Sequence, residues 1–157
     1  MIKVYERIFV GTEADCRNGD GAWCVVHACK SPCHQRAVRY RGNLPNTHPN
    51  YLVLENENDL YLNIIDPPVP LFKLDIFTQF ISYAYNHWST GQNILIHCNQ
   101  GESRAPTLAL LLMAKRLNVL PAASYQEATK AFMCIYQGYK PGRGIQTFLI
   151  QNWDIIG

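Results

Sequence analysis

The stretch NILIHCNQGESRAPTLALLLMAKR, Asn93–Arg116, decides the reading of this chain. Ile94–His97 is a short apolar run of the kind that makes a buried strand. Arg104–Leu117 is apolar on nearly every side, which predicts a buried helix with Pro106 tolerated in its first turn. Between them lie the five loop residues Asn99, Gln100, Gly101, Glu102 and Ser103, with Cys98 before and Arg104 after. Backbone N–H groups that curl at the positive end of a helix form a cradle for a tetrahedral oxyanion, and Gly101 supplies the freedom such a curl requires. These loop residues are therefore candidate phosphate-binding groups. The same field favours the thiolate of Cys98, the nucleophilic form of cysteine. Arg104 offers a planar fork to two oxygens, which lysine does not. His97 is read as orienting the loop through hydrogen bonds.

Outward from this stretch, strands are predicted at Ile8–Val10, Trp23–His27, Tyr51–Leu54, Leu60–Ile65 and Ile94–His97, each bounded by Gly, Asn, Asp or Pro. Leu71, Leu74, Phe77, Ile81, Ala84, Tyr85 and Trp88 recur at helical spacing after the breaker DPPVP, predicting a helix over 71–88 with a core-facing stripe. SYQE, Ser124–Glu127, is a capping-box pattern that opens a helix to about Tyr136, and a last helix is expected near Ile145–Trp153. Lys30–Pro49 reads as an irregular surface excursion. Strands interleaved with helices indicate a single α/β domain over residues 1–157, with a central mixed sheet of about five strands flanked by helices.

The net charge is only +2, from 14 basic and 12 acidic residues without a long run of one sign, so nothing marks a nucleic-acid or membrane partner. The N-terminal MIKVYERIFVG lacks the apolar core of a signal peptide, and no run of about 18 apolar residues suggests a membrane span. A cytoplasmic protein with free thiols is expected.

HCNQGESR, His97–Arg104, resembles the His-Cys-x5-Arg signature of the cysteine-dependent protein tyrosine phosphatases, and its Gly-x-Ser-Arg ending is most similar to the dual-specificity branch. RIFVG, Arg7–Gly11, resembles that family's opening strand, while the region from about Cys24 to Asn50 offers little to match. The resemblance implies a protein tyrosine phosphatase-like fold and a monomeric phosphatase without metal or cofactor. Such an enzyme acts on phosphotyrosine or phosphoserine/threonine in a protein or peptide through a cysteinyl-phosphate. It also implies an acid on a mobile loop roughly thirty residues before the cysteine, and Asp66, 32 positions upstream in NIIDPPVP, occupies that place. Asp59 in ENEND and Asp75 within a predicted helix are its rivals. A phosphate-binding pseudoenzyme, a phosphatase of a small-molecule or RNA phosphoester, a sulfurtransferase and an arsenate reductase are the alternatives.

Two positions qualify the resemblance. Many relatives carry a Ser or Thr hydroxyl directly after the arginine, where it helps the thiolate leave; this chain has Ala105. Glu102 puts a carboxylate in a loop that is basic in relatives preferring inositol phosphates. Arg143 is read as a surface residue, with a second cation near the pocket as the alternative, and Tyr40, Tyr51, Tyr136 or Tyr139 as aromatic neighbours of a substrate ring. The cluster Cys24, His27, Cys29, Cys33 and His34 invites a zinc reading, but its spacings and its overlap with a strand favour structural thiols over a metal site. A reversible disulfide from Cys29 or Cys33 to Cys98 is a further alternative, and Cys134 is expected in the core.

Overall fold

Four of the apolar runs line up as parallel strands, and two antiparallel strands close the edges. In the computed structural model, which describes residues 1–157, the strands are β1 (Ile2–Tyr5), β2 (Ile8–Gly11), β3 (Trp23–His27), β4 (Val53–Glu55), β5 (Asp59–Leu62) and β6 (Asn93–His97). They form one six-stranded sheet in the order β1-β2-β6-β3-β5-β4. β2, β6, β3 and β5 run parallel, and β1 and β4 are antiparallel edges. The expected five strands thus become six. β1 is the addition, a hairpin partner of β2 turned at Glu6–Arg7, where Arg7 takes φ 58°, and irregular between Lys3 and Tyr5.

The helices are α1 (Gln35–Val38), α2 (Leu74–Ser89), α3 (Arg104–Leu111), α4 (Tyr125–Ile135) and α5 (Arg143–Asn152). α3 runs on through a π-helical turn, Leu112–Arg116, so the predicted span to 117 is one continuous rod with a local widening. α4 starts where the capping residue sits, with the Glu127 N–H donating to Ser124 Oγ at 3.1 Å. Lys30–Pro49 is less irregular than expected. Lys30–His34 forms a single turn, closed by a π-type bond from the His34 N–H to Cys29 O at 3.1 Å with Ser31 extended, that leads into α1 and buries Cys33 and His34.

Side chains alternate across the strands, and the alternation separates two environments. Cys24, Val26, Ile94 and Ile96 enter a cluster of 36 buried residues with α2, α3, α4 and α5. Their neighbours Val25, His27, Leu95 and His97 point to the other face, over which the segment after β2 passes: Arg17 stacks on Trp23, and Cys16 approaches His27. Cys134, expected in the core, is exposed. α4 turns Tyr125, Ala128 and Phe132 inward at spacings of three and four, which leaves Met133, Cys134 and Ile135 outside.

The core should reveal itself in stability. Phe80, fully buried on α2, should lose about 3–5 kcal/mol on substitution to alanine, whereas Ile135→Ala should stay within about 0.5 kcal/mol; urea unfolding measures both.

Candidate active site

Ligand sites in open α/β sheets lie at the carboxyl ends of the strands. Here Gly11, His97, His27 and Tyr61 are register partners across β2, β6, β3 and β5, so the four chains leave the sheet level with one another. The loop after β6 begins with buried Cys98 and curls back so that the Gly101 N–H donates to Cys98 Sγ at 3.3 Å. Gly101 takes φ +70°, and a Cβ there would stand 3.1 Å from the Gly11 carbonyl oxygen, so the curl requires glycine on both counts.

The loop is held from outside through its carbonyls. The Glu13 N–H donates to Asn99 O at 3.1 Å, the Tyr136 hydroxyl to Gly101 O at 2.6 Å, and the Lys140 N–H to Glu102 O at 2.7 Å. The Gly101 amide is turned inward, to Cys98 Sγ. Burial, then the charge of Cys98, raises the pKa of Tyr136, keeping its hydroxyl protonated for this role. Arg104 is fixed at both ends of its fork, by Asn99 Oδ1 at 2.7 Å and by Ile64 O at 3.2 Å. The Asn99 amide in turn reaches Glu13 Oε2 and Ser31 O, both at 3.3 Å. Gln100 is exposed at the tip, and Ser103 Oγ accepts from the Gly142 N–H at 2.8 Å.

That last bond carries the rim across to Asp66. The exposed Asp66 carboxylate lies so close to Gly142 that a Cβ there would sit 2.2 Å from Asp66 Oδ1. The following Pro67–Val69 backbone is seated on Gly144 in the same way. The rivals are elsewhere: Asp59 is buried, accepting from His27 Nε2 at 2.8 Å and the Gly19 N–H at 2.9 Å, and Asp75 sits in the first turn of α2. Arg143 is exposed at the start of α5. Ala105 is fully buried. Tyr139 is buried against the hydroxyls of Thr107 and Tyr125, away from any ligand ring.

Compared by sequence, the chain matches no family model and no curated protein. Compared by structure, it is similar to human DUSP28 (TM-score 0.68, 12% identity, covering 98% of this chain and 95% of that one). It is also similar to DUSP15 (TM-score 0.67, 19% identity, 98% and 86%). A third similar structure is the human tyrosine phosphatase-like serine/threonine/tyrosine-interacting protein (TM-score 0.66, 15% identity, 98% and 95%). The chain has the dual-specificity phosphatase fold.

Around the loop of this phosphatase fold, the histidines and thiols are arranged differently from the sequence expectation. His97 does contact the loop, through Nδ1 to Cys98 O at 3.4 Å, but its Nε2 meets His27 Nδ1 at 2.8 Å. Burial, and secondarily His27, pushes its pKa down to about 4. The expected cluster divides. Cys24 lies on the core face, where burial pushes its thiol up to about 12. His34 turns to the Tyr40 hydroxyl and Asn50 O. The neighbouring Cys33 thiol holds Cys29 down to about 7 against the effect of burial. His27 and Cys33 instead join His97 and Cys16, with all four ligand-type atoms within 4.8 Å of one another. Cys16 stands in the polar run ADCRNG, and its partners come from three other segments, so no spacing along the chain marks it.

Beside the Ile64–Asp66 segment runs a groove of about 450 Å³ lined by Lys30, Tyr51, Ile65, Phe72 and Lys73 among others. No helix is long and apolar enough to cross a membrane. Gly101→Ala should weaken inorganic phosphate binding roughly 5–30-fold, the equivalent of the ~1–2 kcal/mol cost of a left-handed alanine, as read by isothermal titration calorimetry.

Proposed function

We propose that the protein is a cysteine-dependent phosphatase acting on phosphotyrosine or phosphoserine/threonine in proteins or peptides. The observation that carries the reading is the Gly101 N–H donating to Cys98 Sγ inside a loop whose Arg104 fork is already fixed. The sulfur is held at the base of the loop by an amide, and Arg104 opens the helix that follows, so the arrangement needs little rearrangement to meet a phosphate. The Cys98 thiolate attacks phosphorus in line. Arg104 and the amides of the 99–103 segment hold the equatorial oxygens, and Asp66 gives its proton to the departing oxygen. Water, losing a proton to Asp66, then cleaves the phosphorus–sulfur bond and restores the thiolate.

The groove with Lys30, Tyr51 and Lys73 supports an extended phosphopeptide as substrate, and Glu102 weighs against polyanionic inositol phosphates. In this reading residues 1–157 act as one catalytic domain and as a monomer. Six free cysteines support a reducing, cytoplasmic setting.

Stopped-flow hydrolysis of para-nitrophenyl phosphate under reductant tests the scheme. Cys98→Ser should abolish turnover, and Asp66→Asn should lower kcat by about 10²–10⁴. A wild type that binds phosphopeptide but releases no product would overturn the scheme in favour of a phosphate-binding module.

Gly142→Ala tests the seat of the acid. Its φ of −64° suits alanine, so the added methyl should displace only the flexible Asp66 carboxylate, lowering kcat by up to about 10²-fold without lowering the thermal midpoint.

The buried methyl of Ala105 leaves the departing thiolate without a hydroxyl. Wild-type enzyme should therefore show a product burst of enzyme-stoichiometric amplitude before a slow steady state, and Ala105→Ser should shrink the burst and raise the steady rate. A linear wild-type trace counts against a slow second step.

A further inference from the structure

We propose that Cys16, His27, Cys33 and His97 form a zinc(II) site at the carboxyl edge of the sheet, directly behind the loop that carries Cys98. The four come from separate segments: the turn after β2, the ends of β3 and β6, and the π-helical turn before α1. His27 and His97 are register partners on adjacent parallel strands, so their side chains leave the same face. Cys16 follows a short 3-10 turn whose Thr12–Asp15 capping box fixes it in place, and its Sγ lies 3.7 Å from His27 Nδ1. Ligands at about 2.0–2.3 Å from a tetrahedral ion stand about 3.3–3.8 Å from one another. A quartet already within 4.8 Å takes up such an ion by small side-chain rotations that part the two imidazole nitrogens from 2.8 Å and draw the sulfurs in.

The surroundings of the two imidazoles point to a cation between them. Histidine ligands characteristically give their remote N–H to a carboxylate or carbonyl, which turns the other nitrogen's lone pair to the metal. His27 Nε2 meets the buried Asp59 Oδ1 at 2.8 Å, and His97 Nδ1 faces Cys98 O at 3.4 Å. With both protons so placed, His27 Nδ1 and His97 Nε2 present lone pairs to each other at 2.8 Å. A proton between them satisfies only the nitrogens. A metal ion satisfies the nitrogens and the two sulfurs together, the thiol protons passing to solvent. Tyr61 stacks on the His27 ring at 4.3 Å and 6°, holding its plane, and the outward position of Cys16 gives the ion a path in. Two thiolates and two imidazoles in a compact quartet select zinc over magnesium or calcium, which take oxygen ligands. The site leaves Cys98 out, so it is independent of the phosphatase reading; its effect is to tie the turn after β2 and the turn before α1 to the residue preceding Cys98.

The full chain, expressed with zinc and dialysed under reductant against metal-free buffer, should retain one equivalent of zinc by mass spectrometry. Cobalt substitution should give the intense visible bands of tetrahedral cobalt and a thiolate charge-transfer band. Cys16→Ala, at an exposed position, should weaken zinc binding at least tenfold without loss of fold. Asp59→Asn should weaken it about 10–100-fold. Cys98→Ser should leave it unchanged, and chelation should lower the thermal midpoint of the wild type and not of Cys16→Ala. The proposal is overturned by a chain that retains no zinc, by an octahedral cobalt spectrum without sulfur charge transfer, or by zinc lost in Cys98→Ser yet kept in Cys16→Ala. A Cys16–Cys33 disulfide persisting under reductant would equally overturn it.

Discussion

The parallel pairing of β6 between β2 and β3 is the constraint from which the rest follows. Its register sets Gly11, His97 and His27 side by side, so three chain segments leave the sheet at one level and can share one loop. A slip of one residue would reverse every side chain on β6, turning Ile96 out of the helical core and His97 into it. Ile94, Leu95 and Ile96 are all fully buried, so the cost of that slip falls on His97, which would lose its partner His27 on entering the helical core. The pairing of His97 with His27 thereby decides where a thiol and an imidazole point.

The loop after β6 then works by having its bonds made in advance. Its carbonyls are taken by Glu13, Tyr136 and Lys140, and the guanidinium of Arg104 is held before any ligand arrives. The loop is thus ordered by folding itself, through contacts that neighbouring segments supply. Asn99 joins these parts, since one side chain reaches Arg104, Glu13 and the Ser31 carbonyl.

Much of this was legible because it is local. Strand, cysteine, glycine, arginine and helix follow one another within Asn93–Arg116, and β3 was expected with the bounds it has. What escaped is not local. β1 is only IKVY, too short to show periodicity, and it exists because β2 offers it an edge. Cys134 stands among apolar neighbours along the chain, yet helical geometry turns it away from Phe132's side. Cys16 gains significance only when the sheet brings His27 and His97 beneath it, and no spacing within one segment encodes that meeting. Asp59 looked like a turn residue and a rival acid, whereas it is a buried partner of His27.

The irregularity of β1 between Lys3 and Tyr5 bears on the outer boundary of the sheet. An open strand is a template on which a foreign chain can assemble, and a shift of register within the strand breaks the regular row of donors and acceptors such assembly reads. The opposite boundary, β4, is three residues long, ends on Glu55 and runs directly into Asn56 and Glu57. Both borders are therefore poor ground for propagation, and the sheet ends in solvent where its own strands end.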